Sequence, residues 1–335
     1  MKTSCSLENF TKFLTNGEVC GIITDMQVKV ANTLRQIKRA TGWSQERLAR
    51  ELAVTVRTLQ AWLAGEAAPR VEKVKQIESL AQRALGREEV SLAQVQATEK
   101  SACGRHFNYQ ELLVNPELTS VFTQHLTYHT NAIEGSTLTL AQVQTVLTDI
   151  QAVLPDKSLR EQMEARGHAA ALQYALGQLA AGCGKICWST KFICDLHLRL
   201  MNGIMGGAGQ FRQYRVRIAG SFTPLCNYLV VPREMQLLLE DMNADGRQDV
   251  DLSQLAHWHA RFEQIHPFGD GNGRTGRLML FLQALERGWY PPLIKREYRY
   301  AYYQALEKAQ LEGDILPLRL VIGQAIVETQ KLLGD

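Results

Sequence analysis

From about residue 106 onward, apolar residues recur every three to four positions, and this period confines most of the chain to helices. Met235, Leu238, Leu239 and Met242 form one i, i+3, i+4, i+7 set, and Leu252, Leu255 and Trp258 form a second. Leu278, Leu282 and Leu285 form a third, and Tyr302, Leu306 and Leu311 a fourth. Each set predicts a helix that buries one stripe. One stretch departs from the period. Gln213 to Ala219 alternates polar and apolar residues, Gly220-Ser221 follows, and Tyr228 to Val231 offers a return strand. A β-hairpin is therefore expected over about 213–231 in a mainly α-helical protein.

At 335 residues the chain is long enough for two cores, and 45% hydrophobic against 21% charged content excludes global disorder. The net charge of +3 is too small for a chain-wide nucleic-acid binder. Residues 29–70, however, hold eight Lys/Arg against three Asp/Glu, which marks one basic module. Cys5, Cys20, Cys103, Cys183, Cys187, Cys194 and Cys226 are scattered and odd in number, without a CxxC pair. No disulfide framework or zinc site is expected, and Cys183, Cys187 and Cys194 read as buried small hydrophobes. No apolar run reaches the ~18 residues of a membrane span, and no signal pattern opens the chain. A cytoplasmic protein without a membrane partner is expected. Four segments follow: an N-terminal extension over 1–27, a helical module over 28–87, a polar linker, open to being helical in part, over 88–105 and a helical domain over 106–335.

Within the basic module, Thr33–Pro69 reads as a helix, a second helix capped by Ser44, a turn near Ala53-Val54 and a third helix capped by Thr55. Leu34, Ile37, Leu48, Leu52, Val54, Leu59, Trp62 and Leu63 would face inward, and Gly65 and Pro69 would close the unit. Thr41-Gly-Trp-Ser-Gln-Glu46, Leu48-Ala49, Leu59, Trp62 and Gly65 resemble the Cro/repressor helix-turn-helix family over about sixty residues. That resemblance implies a DNA partner, with Ser44 and Gln45 at phosphates and Val56, Arg57 and Gln60 at base edges. One such module binds weakly, so a homo-oligomer on a two-fold site is expected. Ala53 stands where these motifs place the turn glycine, and Ala61 where many place a polar reader. A helical docking domain with a solvated arginine face is the alternative.

The stretch His266-Pro-Phe-Gly-Asp-Gly-Asn-Gly-Arg-Thr-Gly-Arg277 lies between two apolar helical patterns, the second beginning near Asn272–Arg274. Gly271 and Gly273 permit backbone angles closed to other residues, so their N–H groups can curl into an anion nest at a helix N-terminus. Arg274 and Arg277 share a helical face and can grip further phosphate oxygens. Asp270 beside a polyphosphate is suited to Mg²⁺. The Asn272 amide can bind a phosphate oxygen, and a neutral His266 can take a proton from an attacking hydroxyl. Phe268 reads as a pin into the core. Tyr302 and Tyr303 read as adenine contacts or as core aromatics. His257 and His259 read as packing residues.

This stretch is similar to the Fic-family signature HxFx(D/E)GNGRxxR at every specified position. The resemblance extends over most of 106–335, including Gly209-Gln-Phe-Arg212, His259-Ala-Arg-Phe262, Tyr290-Pro-Pro292 and Arg299-Tyr-Ala-Tyr302. It implies an all-helical Fic fold with a β-hairpin flap that holds a target segment by strand pairing. It implies AMP transfer from ATP, with Mg²⁺, onto a Ser, Thr or Tyr hydroxyl of a target protein. His266 would be the base and Asp270 the metal ligand. Asn272, Arg274 and the Gly271 and Gly273 amides would hold phosphates. Gly273 stands where the Doc-type kinases of this fold carry Lys, which favours AMP transfer.

Thr130-Asn-Ala-Ile-Glu134-Gly135 resembles the family's inhibitory motif, (S/T)xxxE(G/N), on a helix expected over about 120–135. Thr130 and Glu134 lie one turn apart, and Gly135 ends the turn. The resemblance implies that Glu134 occupies the Arg277 fork and misaligns ATP. An ordinary glutamate near a helix end is the bland alternative. Two other functions stay open: a DNA-binding regulator that senses nucleotide, and AMP removal with Glu134 aligning water.

Overall fold

The structure, a computed structural model, describes the backbone of residues 16–85, 90–149, 151–218, 223–244 and 251–334. The chain divides into two compact units, Met1–Glu88 and Glu89–Asp335.

The first unit contains α1 (Asn16–Thr41), α2 (Gln45–Glu51), α3 (Val56–Ala64) and α4 (Val71–Ala84). Ser44 Oγ accepts the Arg47 N–H at 3.3 Å and Thr55 Oγ1 accepts the Thr58 N–H at 3.1 Å, so both helix starts are capped. Leu34, Ile37, Leu48, Leu52, Leu59 and Trp62 are buried, while Val54 and Leu63 are half-buried. Ala53 makes the turn with φ 48°, in the left-handed region that favours glycine. Of the expected extension, residues 1–15 lie outside the described residues, and 16–27 already belong to α1.

The second unit begins with α5 (Leu92–Cys103), α6 (Glu111–Val114), α7 (Pro116–Ile133), α8 (Leu140–Thr148), α9 (Leu159–Ala181) and α10 (Thr190–Met201). It continues with α11 (Val231–Ala244), α12 (Leu252–Ile265), α13 (Asn272–Glu286), α14 (Arg299–Leu311) and α15 (Leu316–Leu332). From Asn272 to Leu285, α13 is buried at every position except Gly273. A helix that is covered all round needs neighbours on every side. Here α7, α9, α10 and α12 supply them, and α13 becomes the axis of the unit. The apolar sets on α11, α12 and α13 are buried as their period requires; on α14, Leu311 is exposed.

Three sequence expectations need correction. The segment expected as a linker is largely α5, which packs on α15. Its Val95 and Ala102 are buried, and Arg319 grips Glu99 with two hydrogen bonds of 2.9 Å. Its surface is polar because only one narrow stripe is covered. Second, Cys183 and Cys187 are exposed and Cys194 is half-buried; they flank a turn and a helix start, where the helical period does not dictate burial.

Third, no strand occurs among the described residues, so the β-hairpin is absent there. Residues 213–218 and 223–227 lack regular structure, Tyr228–Val230 is a 3₁₀ turn, and Val231 opens α11. The expected hairpin tip at 219–222 lies outside the described residues. The two arms are tied by a side chain instead of a ladder: Arg212 Nη1 donates to Tyr214 O at 2.9 Å and Nη2 to Cys226 O at 2.5 Å. Alternation confers the capacity to pair, but an isolated two-stranded ribbon is marginal in water.

Candidate active site

Helix α12 delivers His266 to the site. Its apolar face is locked by Leu255, Trp258, Phe262 and Ile265, all buried. His266 ends the helix in the left-handed region (φ 50°, ψ 61°), with its N–H on Phe262 O at 2.9 Å. Its Nδ1 lies 3.2 Å from Glu263 O. A carbonyl only accepts, so Nδ1 carries the proton and Nε2 keeps a free lone pair. Burial lowers the imidazole below its ordinary pKa, so the ring is neutral at pH 7. The His266 carbonyl is itself held: Arg212 Nε donates to it at 2.7 Å, and Arg212 N–H bonds Pro267 O at 2.9 Å.

The loop that follows is fixed from both sides. Phe268 is fully buried and stacks on His197, with centroids 3.7 Å apart and planes 3° from parallel. His197 Nδ1 accepts the Gly209 N–H at 2.9 Å, so Nε2 carries the proton that it donates to Asp270 O at 2.9 Å. One neutral imidazole thus joins the Gly209–Arg212 segment to the loop. His197 gave no signal in the sequence beyond a helical position; its partners are 12 and 73 residues away. Asn272 departs from expectation. Its Oδ1 accepts the Phe268 N–H at 2.8 Å and its Nδ2 donates to Phe268 O at 2.9 Å. The amide closes the loop on itself with its oxygen and one of its two N–H donors.

Gly271 caps α13 at φ 78°, and a Cβ there would collide with Met201. A Cβ at Gly273 would collide with the Glu134 carboxylate. A side chain at Gly273 would therefore have to displace the Glu134 carboxylate, and one at Gly271 would be strained by its positive φ as well as by Met201. Arg274 is buried and ion-paired with Glu164 at 3.2 Å, and its Nε has no hydrogen-bond partner among the described residues. Asp270 is half-exposed; its Oδ1 accepts the Gly271 N–H at 2.6 Å and its Oδ2 meets Arg160 Nη2 at 2.6 Å.

Arg277 is also buried. Its Nε donates to Thr130 Oγ1 at 2.8 Å, and Nη2 donates to Thr130 O at 3.2 Å and to Glu134 Oε1 at 2.5 Å. Glu134 is the residue that ends α7, and Gly135 turns away at φ 107°. Arg277 Nη1 is buried without a partner among the described residues. Tyr302 is not open to a nucleotide base. It is fully buried, bonds His259 Nε2 at 2.8 Å and lies beneath the Arg277 guanidinium. Tyr303 is partly exposed and donates to Ile133 O at 3.2 Å.

In the first unit, the Ser44 hydroxyl is engaged as a helix cap. Gln60 Nε2 donates to Gln45 Oε1 at 3.0 Å, which joins the start of α2 to the middle of α3. Arg57 and Gln60 are exposed and Val56 is half-buried on the same helix.

The second unit is an all-helical scaffold that sets an amide nest, two buried guanidiniums and a free imidazole nitrogen around one helix N-terminus. Residues 187–284 match the Fic/DOC family, and residues 34–84 match a helix-turn-helix family. The chain therefore carries a Fic/DOC-family domain preceded by a helix-turn-helix domain. It is 33% identical over 213 residues, 63% of its length, to the protein adenylyltransferase Fic of Drosophila mojavensis. It is 34% identical over 211 residues, 62% of its length, to the protein adenylyltransferase fic-1 of Caenorhabditis elegans. These matches cover 41% and 40% of the relatives, so the chain spans about two fifths of their length. A solved Fic-1 segment from C. elegans shares the fold with a TM-score of 0.60 at 24% identity, covering 86% of this chain and 84% of that one. A Fic family protein from Desulfovibrio desulfuricans G20 does so at 0.56 and 25%, covering 74% and 77%.

Proposed function

We propose that this chain is a protein adenylyltransferase, moving AMP from ATP onto a Ser, Thr or Tyr hydroxyl of a target protein, and that Glu134 restrains it. One observation carries the reading: a neutral imidazole with a free Nε2 opens the loop that leads into α13, and the first turns of α13 carry two buried guanidiniums with orphaned donors. Buried cationic donors without partners are costly, and a polyphosphate satisfies them.

His266 Nε2 takes the hydroxyl proton, the oxygen attacks the α-phosphorus, and the bond to the departing pyrophosphate breaks. The amides at the start of α13, with Arg274, stabilise the charge that builds on the phosphate oxygens. Arg277 receives the terminal phosphate once Glu134 leaves. Among the described residues no group of three His, Cys, Asp or Glu is placed to cage a metal. That suits Mg²⁺, which takes most of its ligands from phosphate and water and needs one carboxylate, Asp270, released from Arg160. When bound, the ion neutralises phosphate charge. The helix-turn-helix domain is proposed to bind DNA through Arg57 and Gln60, with the Gln45–Gln60 bond fixing the reading helix.

The test is transfer of label from ATP marked at its α-phosphate. Glu134→Gly should label protein strongly, and His266→Ala in that background should abolish labelling while still binding ATP. Labelling that survives loss of His266 would remove it from the base role.

A further inference from the structure

The Fic-type site explains which atom is modified but not which proteins are chosen, and the segment leading away from it carries an unused charge pattern. Arg212 anchors that segment by holding the Tyr214 and Cys226 carbonyls. Tyr214 starts it beside the catalytic loop, because its hydroxyl covers Gly269 so closely that a Cβ there would collide with it. From that point exposure alternates: Arg215 and Arg217 are exposed, Val216 and Ile218 half-buried. The two guanidiniums therefore stand furthest out, two residues apart, with the aliphatic groups set lower between and beyond them. Among the described residues, no backbone–backbone hydrogen bond involves 215–218.

The segment borders an open cleft of about 540 Å³, lined also by Pro224 and Leu225, with no Asp or Glu among its described walls. The adjoining cleft contributes Glu234, but that carboxylate is paired with Arg261 at 3.2 Å. The positive charge of Arg215 and Arg217 therefore has no counterpart within the cleft.

We infer that Arg215 and Arg217 select acidic target segments, in which two carboxylates spaced two residues apart accompany the modified hydroxyl. The inference rests on the transferase reading for the hydroxyl, but the binding it describes is measurable without catalysis. Backbone pairing along an extended segment is blind to sequence, so selectivity must come from the side chains. The exposed guanidiniums accept alternate Glu or Asp, and the aliphatic groups in the cleft wall accept apolar residues of the peptide. A polypeptide fits this pattern better than a polynucleotide, which has no alternating donors and acceptors to match the edge. Two exposed ion pairs together give about a tenfold preference, and salt weakens it.

The experiment measures fluorescence polarisation of short labelled peptides on the full chain. Each peptide has a central Ser, Thr or Tyr flanked at alternate positions by Glu, by Gln or by Lys. The Glu peptides should bind about tenfold tighter than the Gln peptides at low salt, and the Lys peptides weakest. The double variant Arg215→Ala/Arg217→Ala should erase the preference while keeping its melting temperature, since both side chains are exposed. Equal binding of the three sets, no binding of any, or an unchanged preference in the double variant would overturn the inference. Tighter binding of a labelled oligonucleotide of equal charge, lost in the same variant, would reassign the cleft to nucleic acid and overturn it too. Transfer from α-labelled ATP in the Glu134→Gly background is read separately. A negative there counts against the transferase reading and leaves the peptide preference standing.

Discussion

Glu134 Oε1 and Arg277 Nη2 are 2.5 Å apart, and the same guanidinium is held at Nε by Thr130, one turn earlier on α7. A single helix end thus fills the fork that a terminal phosphate would need. A charge-assisted bond of this kind contributes about 1.5–3 kcal/mol, so Glu134→Gly should raise transfer by roughly 10- to 100-fold. The same change strands a buried cation. The ATP-free variant should therefore be less stable by about 1–2 kcal/mol, discounted because Glu134 is partly exposed. ATP should raise its melting temperature more than it raises that of the parent. Unchanged transfer with an unchanged response to ATP would end the restraint argument.

With His266 as the proposed base, its protonation state sets the acid limb of the rate. Burial is the largest influence and lowers its pKa from 6.5, against the smaller opposing effect of the Glu263 carbonyl. The transfer rate at saturating ATP should still exceed half its plateau at pH 6.5 and reach half only below it. A half-point above pH 6.5 would mean that burial does not depress the imidazole that limits the rate.

Arg212 joins three loops through the carbonyls of His266, Tyr214 and Cys226. A lysine keeps the charge but not the planar fork that serves divergent acceptors. Arg212→Lys should lower transfer at least about tenfold, as a misplaced base does, with ATP affinity nearly unchanged. Equal losses in both would show that the clamp shapes the nucleotide site as well.

What the sequence makes legible is what is local. The helical period exposes α11 to α14, Ser44 and Thr55 mark helix starts, and the catalytic loop is one contiguous string. Its pins are not local. His197 meets Asp270 across 73 residues, and Arg160 meets Asp270 across 110. Pairs of that kind leave no period. Asn272 misleads for the opposite reason. Its amide has a ligand's chemistry, but its partner is the Phe268 backbone four residues back. The flap misleads because alternation records a capacity that only a partner strand fulfils.

Ala53 shows a local cost that can be removed. Its φ of 48° places a β-carbon in the left-handed region, which costs about 1–2 kcal/mol. Glycine removes that strain and gives back about 0.4–1 kcal/mol through the unfolded chain. Ala53→Gly should therefore stabilise the helix-turn-helix unit by up to about 1 kcal/mol. Slower amide hydrogen exchange across Leu48–Leu59 is the readout, and faster exchange would contradict the strain argument.

Glu263 gives the site a pH signature of its own. The residue is 5% exposed, its Oε1 has no hydrogen-bond partner among the described residues, and it packs against Gly276. Burial pushes its carboxyl up from 4.5 to about 8, while Arg277 pulls it down and Glu134 pushes it further up. Between pH 4.5 and 8 the folded chain therefore keeps a proton that the unfolded chain has released. Stability must fall as pH rises through that window, by about 1.4 kcal/mol per unit, and this group contributes no further change outside it. Glu263→Gln preserves the shape and removes the titration. In urea unfolding, the variant should gain on the parent as pH rises from 5 to 8, by far more than any offset present at pH 5. A gap that stays constant between those two pH values would mean that Glu263 titrates near its ordinary value, and so that solvent or a cation reaches its Oε1 in solution.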